Sequence, residues 1–163
     1  MKIETLRELL IDEMQDLHSA ETQITKALPK LVKAAHDPSL KQAFEHHLEE
    51  TRNHVTRLEQ IFKHLNESPK GKTCEAMKGL LKECEERISD GGEAEVLDAG
   101  IIAAAQRVEH YEIAAYGSAR TYAELLGNQE AVRLLSQTLE EEKAADAKLS
   151  QVARRVNVEA KAA

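Results

Sequence analysis

Counted in steps of seven, the apolar residues of this chain fall into long helical stripes. Ile3, Leu10, Leu17, Ile24 and Leu31 form one series, so a first helix is expected over about residues 3–35, with Pro29 able to bend it. A second, about 38–66, carries Phe44, Leu48, Val55, Leu58, Phe62 and Leu65. A third, about 93–126, carries Leu97, Ile101, Ala104, Val108, Ala115, Ala119, Tyr122 and Leu126, and a fourth runs over about 129–157. Between the second and third, CEAMKGLLKECEERI predicts a short connecting helix at about 73–88. The stretch HDPS offers two caps for the second helix: Asp37 followed by Pro38, or a Ser39–Gln42 capping box. ESPKGK, SDGG and the pair Gly127–Asn128 supply the remaining stops.

The joins within the first and last helix pairs are short, so each pair should form an antiparallel hairpin. About 26 residues separate the second long helix from the third, enough for a crossover along the length of the fold. The pattern therefore predicts one all-α domain over residues 1–163. Its architecture is an antiparallel four-helix bundle, with a long crossover carrying a short helix between helices two and three. Ferritin-like folds are bundles of this kind.

Composition narrows the function. The chain has 163 residues, 31% of them charged and 3% aromatic, and only three prolines. Its formal net charge of −7 leaves a nucleic-acid role without the basic footprint it needs. No apolar run approaches a membrane span, and the opening MKIETLRELLIDEM is amphipathic and acidic, unlike a signal peptide. A cytoplasmic location is the expectation. Cys74 and Cys84 are too few for a disulfide framework or a zinc site and read as free thiols.

The chemistry lies where the stripes are broken. Leu135, Glu142, Leu149 and Val156 form a series with one acid in it, and so do Val132, Leu139, Asp146 and Ala153. Glu21 interrupts Met14, Leu28 and Ala35; Glu112 interrupts Ala105, Ala119 and Leu126. Glu50 and His54 flank the second stripe one turn apart, and Glu109 lies one turn before Glu112. All fall within a few residues of the helix midpoints, near residues 19, 52, 110 and 143, so side-by-side packing would bring them to one level. Burying an unpaired carboxylate costs several kcal/mol, against a whole-domain stability of about 5–15 kcal/mol. No Lys or Arg occupies the seam one turn from Glu21, Glu112 or Glu142. A pair of divalent cations supplies the missing charge, and a carboxylate-rich set with an imidazole suits iron or manganese.

The segments RVEHYEIAAYG, AETQ, HLEET and LEEEKAAD resemble the YciF/YciE family of bacterial stress proteins, over essentially the whole chain. The resemblance implies a ferritin-like fold related to rubrerythrin, usually dimeric, with a site for two iron ions per chain, manganese being the alternative. It matches Glu21 to the glutamate of helix one, Glu50 and His54 to the Glu/His pair of helix two, and Glu109 and Glu112 to the paired glutamates of helix three. On helix four Glu142 takes the glutamate role, and Asp146 stands where a second histidine is expected. Glu50 and Glu142 are expected to bridge the metals, with Glu21, Glu112 and His54 terminal and Glu109 and Asp146 as further members. Glu50/His54 and Glu142/Asp146 are four apart, whereas the usual spacing is three; a one-residue π-bulge would restore the orientation. Asp in place of the second imidazole makes the site more anionic and should favour the oxidised metal.

Glu21 and Glu50 are 29 residues apart and Glu112 and Glu142 are 30, so the two hairpins read as copies; that alignment makes His18 an outer candidate. His46 and His47 are adjacent and cannot share a helical face; at most His47 lies near the site, and the surface is the expected place for them. Glu140, Glu141 and Lys143 read as solvated charges. Tyr111, Tyr116 and Tyr122 could hydrogen-bond ligands, with Tyr122 expected in the core. No phosphate loop or nucleophile elbow is present. Three functions follow. One is an oxidoreductase reacting with O2 or peroxide or oxidising Fe(II), which needs an external electron donor because no rubredoxin-like cysteine set is present. Another is metal binding without catalysis. The third is a structural or stress-interaction homodimer that metal stabilises.

Overall fold

In the computed structural model, which describes residues 3–163, five α-helices build the fold and no strand forms among the described residues. Residues 1 and 2, the start of the stretch MKIETLRELLIDEM, lie outside them. The first helix, α1, spans Leu6–Ala34. It starts later than its apolar stripe because Thr5 and Glu8 form a capping box. Thr5 Oγ1 accepts from the Glu8 N–H at 3.2 Å, and Glu8 Oε2 accepts from the Thr5 N–H at 2.9 Å. Pro29 sits inside α1, which continues through it.

The second helix, α2, spans Pro38–Leu65. Of the two caps that HDPS offers, Asp37 is used: its carboxylate accepts from the Leu40 N–H at 3.0 Å, and Pro38 takes the first position, where no N–H is needed. The connecting helix α3 covers Glu75–Asp90. The third long helix, α4, covers Ala94–Leu125, and α5 covers Gln129–Ala162. Gly127, at φ 70°, reverses the chain between α4 and α5, and Asn128 caps α5 by accepting from the Ala131 N–H at 3.0 Å. α5 runs past the expected end at residue 157. The extension is rich in helix formers and carries an Arg155–Glu159 pair at 3.3 Å.

α1 packs on α2 and α4, α5 packs on the same two, and α3 lies against α4 and α1. Arg7, near the start of α1, reaches Glu67, just beyond the end of α2, at 2.8 Å, so these helices run in opposite directions. Gln106 of α4 donates to Asp146 and Ser150 of α5 at 3.0 and 2.8 Å, the pairing expected of helices folded back about Gly127. Asp98 of α4 accepts from the N–H groups of His36 and Asp37 at 2.9 and 2.6 Å and anchors the α1–α2 turn.

The apolar interior is divided in two. One cluster joins Ile24, Leu28 and Leu31 of α1 to Phe44, to Met77 of α3, to Ile101, Ala105 and Val108 of α4, and to Leu149 and Val152. The other joins Leu10, Met14 and Leu17 to Leu58 and Phe62, to Tyr116 and Ala119, and to Leu135 and Leu139. Between them each long helix carries buried polar groups: Glu21, then His47, Thr51 and His54, then Glu109 and Glu112, then Thr138 and Glu142. Glu21, Glu112 and Glu142, which broke the stripes, thus lie with these groups in a layer across the middle of the molecule. Among the described residues, no helix is long and apolar enough to cross a membrane.

Candidate metal centre

Glu21, His54, Glu112 and Glu142 are completely buried, and Glu109 and His47 are 4% and 5% exposed. They fall into two groups whose ligand-capable atoms lie within 4.8 Å of one another: Glu21, His54 and Glu142 in one, His47, Glu109, Glu112 and Glu142 in the other. Glu142 belongs to both. Its Oε1 lies 2.9 Å from His54 Nδ1, and its Oε2 lies 3.5 Å from His47 Nε2. His54 Nδ1 also faces Glu21 Oε1 at 3.2 Å, and His47 Nε2 faces Glu109 Oε1 at 3.3 Å.

These approaches are close but are not hydrogen bonds. Glu21 Oε2, Glu109 Oε2, both oxygens of Glu112, both of Glu142, His47 Nε2 and His54 Nδ1 are all buried without a hydrogen-bond partner. Buried polar atoms in folded proteins are almost always paired. Here the unpaired ones converge on two common points. Four carboxylates and two neutral imidazoles balance the charge of two divalent cations, and the oxygen-rich donor sets suit iron or manganese. The residues fit the group that the sequence implies.

The outward faces of the imidazoles support this. His54 Nε2 lies 2.9 Å from Glu141 Oε2, and Arg57 grips both oxygens of Glu141 at 2.6 and 2.9 Å. His47 Nδ1 lies 3.3 Å from Glu50 Oε2. Each ring therefore has a carboxylate behind it to take one N–H, which leaves the inward nitrogen with its lone pair free, the arrangement typical of metal-bound histidine. Tyr116 O–H donates to Glu21 Oε1 at 2.5 Å, leaving the other oxygen of Glu21 as the free donor.

Without metal the layer is electrostatically frustrated. Burial, then the neighbouring carboxylates, push the Glu112 carboxyl well above the usual range. Glu109 is raised by burial and by Glu142, against the opposing pull of His47. Burial alone would lower His54, but Glu21 and Glu142 raise it to about 11. The metal-free protein holds protons where cations would sit.

The structure brings five of the seven expected site residues into the two groups: Glu21, His54, Glu109, Glu112 and Glu142. Glu50 and Asp146 fall outside both. Glu50 turns to His46 and His47, at 3.2 and 3.3 Å. Asp146 accepts from Gln106 at 3.0 Å and faces His110 at 3.2 Å. No π-bulge interrupts α2 or α5, so Glu50 and Asp146 stay on the partly exposed flanks of their helices while His54 and Glu142 face inward. His18 is also outside, 3.4 Å from Glu59.

Two further residues lie elsewhere than expected. His47 was expected at the surface and is buried in the centre. The signal existed: Leu40, His47, His54 and Ile61 form a seven-residue series, and all four are buried. Glu141 was expected to be solvated and instead backs His54. That role depends on Arg57 reaching across from α2, which no local pattern reports. Cys74 and Cys84 are free thiols, as expected, and both are buried.

Residues 5–163 match the family described as Domain of unknown function (DUF892). Protein YciF of Escherichia coli K12 is 47% identical over 154 residues, covering 94% of this chain and 93% of YciF. The crystal structure of the E. coli stress protein YciF superposes with a TM-score of 0.92 at 46% identity, covering 94% of this chain and 98% of that one. YcfI of Rhodopseudomonas palustris superposes with a TM-score of 0.89 at 47% identity, covering 91% and 95%. With a buried histidine–glutamate cluster at its middle and these similarities along nearly its whole length, the chain belongs to the DUF892 family of YciF-like stress proteins.

Proposed function

We propose that this protein is a ferritin-like di-metal carboxylate protein that holds two iron or manganese ions in an antiparallel four-helix bundle of α1, α2, α4 and α5. The observation that carries this reading is the set of buried carboxylate oxygens and imidazole nitrogens that converge without hydrogen-bond partners. Glu142 lies between the two positions. Glu21 and His54 complete one, and His47, Glu109 and Glu112 complete the other. When bound, iron there supplies electrons to O2 or peroxide, or is itself oxidised from Fe(II). The chain's own residues would supply and orient the ligands and would release their protons as the cations bind. The protein is proposed to act as a homodimer and to depend on an external electron donor.

A second reading, a metal-stabilised structural or stress-interaction dimer, is favoured by the complete burial of Glu21, His54 and Glu142 and by the Arg57 clamp on Glu141. Closed positions of this kind hold metal without turning it over. YcfI is itself described as a candidate structural protein. Anaerobic Fe(II) titration followed by O2 or peroxide separates the two. Saturation at two ions per chain with oxidation faster than in buffer supports the oxidoreductase, and saturation without acceleration leaves the structural role. Uptake below one ion per chain, unchanged in Glu142→Ala, would overturn both.

A further inference from the structure

The two positions differ in their access to solvent. A cavity of about 450 Å³ lies between α2 and α5, and its lining includes Phe44, His46, His47, Glu50, Glu109 and Lys148. It reaches the His47 group, where His47 Nε2 and Glu109 Oε2 are buried and unpartnered. A second void touching Glu109 holds only about 10 Å³ and is lined by core residues that include Leu81 and Val108. Glu21, His54 and Glu142 are fully buried and do not line this cavity.

Along the cavity wall the donors are graded from wet to dry. The His46 side chain is 75% exposed, that of Glu50 is 20% exposed, and that of His47 is 6% exposed. Glu50 spans the step, with Oε1 3.2 Å from His46 and Oε2 3.3 Å from His47. A hydrated divalent cation fits the cavity, and each shift inward exchanges water for a carboxylate or imidazole donor. The lone opposing charge among the lining side chains is the Lys148 ammonium. On the reading of the centre as a metal site, we infer that the α2–α5 cavity is the loading route for divalent cations. Glu50 is the receiving ligand on its wall, delivering the ion first to the His47–Glu109 position. Glu50 thus serves uptake as well as backing His47.

The test is the rate at which anaerobically mixed Fe(II) becomes protected from a strong chelator, followed in the full-length protein with a rapid chelator quench. Ala144→Phe narrows the cavity from an exposed position on α5 and touches no proposed ligand. Glu50→Gln removes the charge and keeps an oxygen for His47. Both are expected to slow loading about tenfold or more, and Ala144→Phe is expected to leave the final iron content at the wild-type level. Lys148→Glu is expected to accelerate loading severalfold at low salt and not at high salt, a gain that a damaged fold would not produce. Wild-type rates in Ala144→Phe or in Glu50→Gln overturn the route, as does the absence of any gain in Lys148→Glu. A wild-type protein that takes up no iron is a failure of the metal reading itself. Wild-type uptake with unslowed variants is a failure of this inference alone.

Discussion

The two halves of the centre hold similar donors in different settings. Around His54 the supports are fixed: Glu141 is gripped through both oxygens by Arg57, and Arg57 also reaches Thr138 at 3.1 Å. Glu21 is held by the buried Tyr116 hydroxyl. Around His47 the support is Glu50, which pairs with His46 and His47 and lines the α2–α5 cavity. One half is a rigid socket and the other a half-open one. The same chemical inventory can therefore give a retaining position and an exchangeable one, with the choice made by what stands behind each imidazole.

The largest test of this comparison is to remove what the halves share. Glu142→Ala deletes one donor from each position, and metal content should fall from two ions per chain to well under one, measured by elemental analysis after reconstitution. Retention of a single tightly held ion would show that the halves are independent and break the comparison.

Next comes the rigid socket alone. Glu141→Gln weakens the acceptor behind His54 and should loosen one of the two ions roughly 10–100-fold while the other keeps its wild-type affinity. Equal weakening of both, in a chelator competition assay, would contradict the division into halves.

A smaller effect concerns pH. In the metal-free protein Glu109 and Glu112 have folded pKa values raised above the ordinary 4.5, and His54 is raised from 6.5 to about 11. Groups raised on folding make the native state bind more protons than the unfolded chain. Their contribution is most favourable below the unfolded pKa values and is lost as pH rises through the folded ones. The metal-free Tm should therefore fall by several degrees from pH 6 to pH 9, and the gain in Tm on adding metal should grow over the same interval. Calorimetry that finds the metal-free Tm rising with pH would sink this account.

The smallest expected effect is none. Asp146→Ala removes an acid that pairs with Gln106 and His110 outside both groups, so iron content and affinity should match wild type. A lost ion in this variant would return Asp146 to the centre.

The helices were legible because the apolar series of seven report which face each one buries, and Asp37, Pro38, Gly127 and Asn128 mark their ends in residue type alone. The acids of the centre were legible by the same counting, as interruptions of those series. His47 sits in such a series too, yet the adjacent exposed His46 masked it. Glu50 was expected as a bridging ligand and Glu141 as a solvated charge, and each instead backs an imidazole, for a physical reason. Both lie on helix flanks, and only the partner across the groove, His47 in one case and Arg57 with His54 in the other, decides what a flank residue does. The start of α1 was expected at Ile3, and the Thr5–Glu8 box sets it at Leu6 instead.

The split interior has a mechanical consequence. A helix ordinarily frays from its ends, where hydrogen bonds are unsatisfied. Here both ends of the molecule are clamped by dry apolar clusters, while the repulsion is concentrated at the waist. Amide exchange in the metal-free chain should accordingly be fastest relative to its surroundings in the middle turns around His54, Glu112 and Glu142, and cations should quiet it there. Metal would then act as a rivet at mid-span, converting two stacked cores into one cooperative unit.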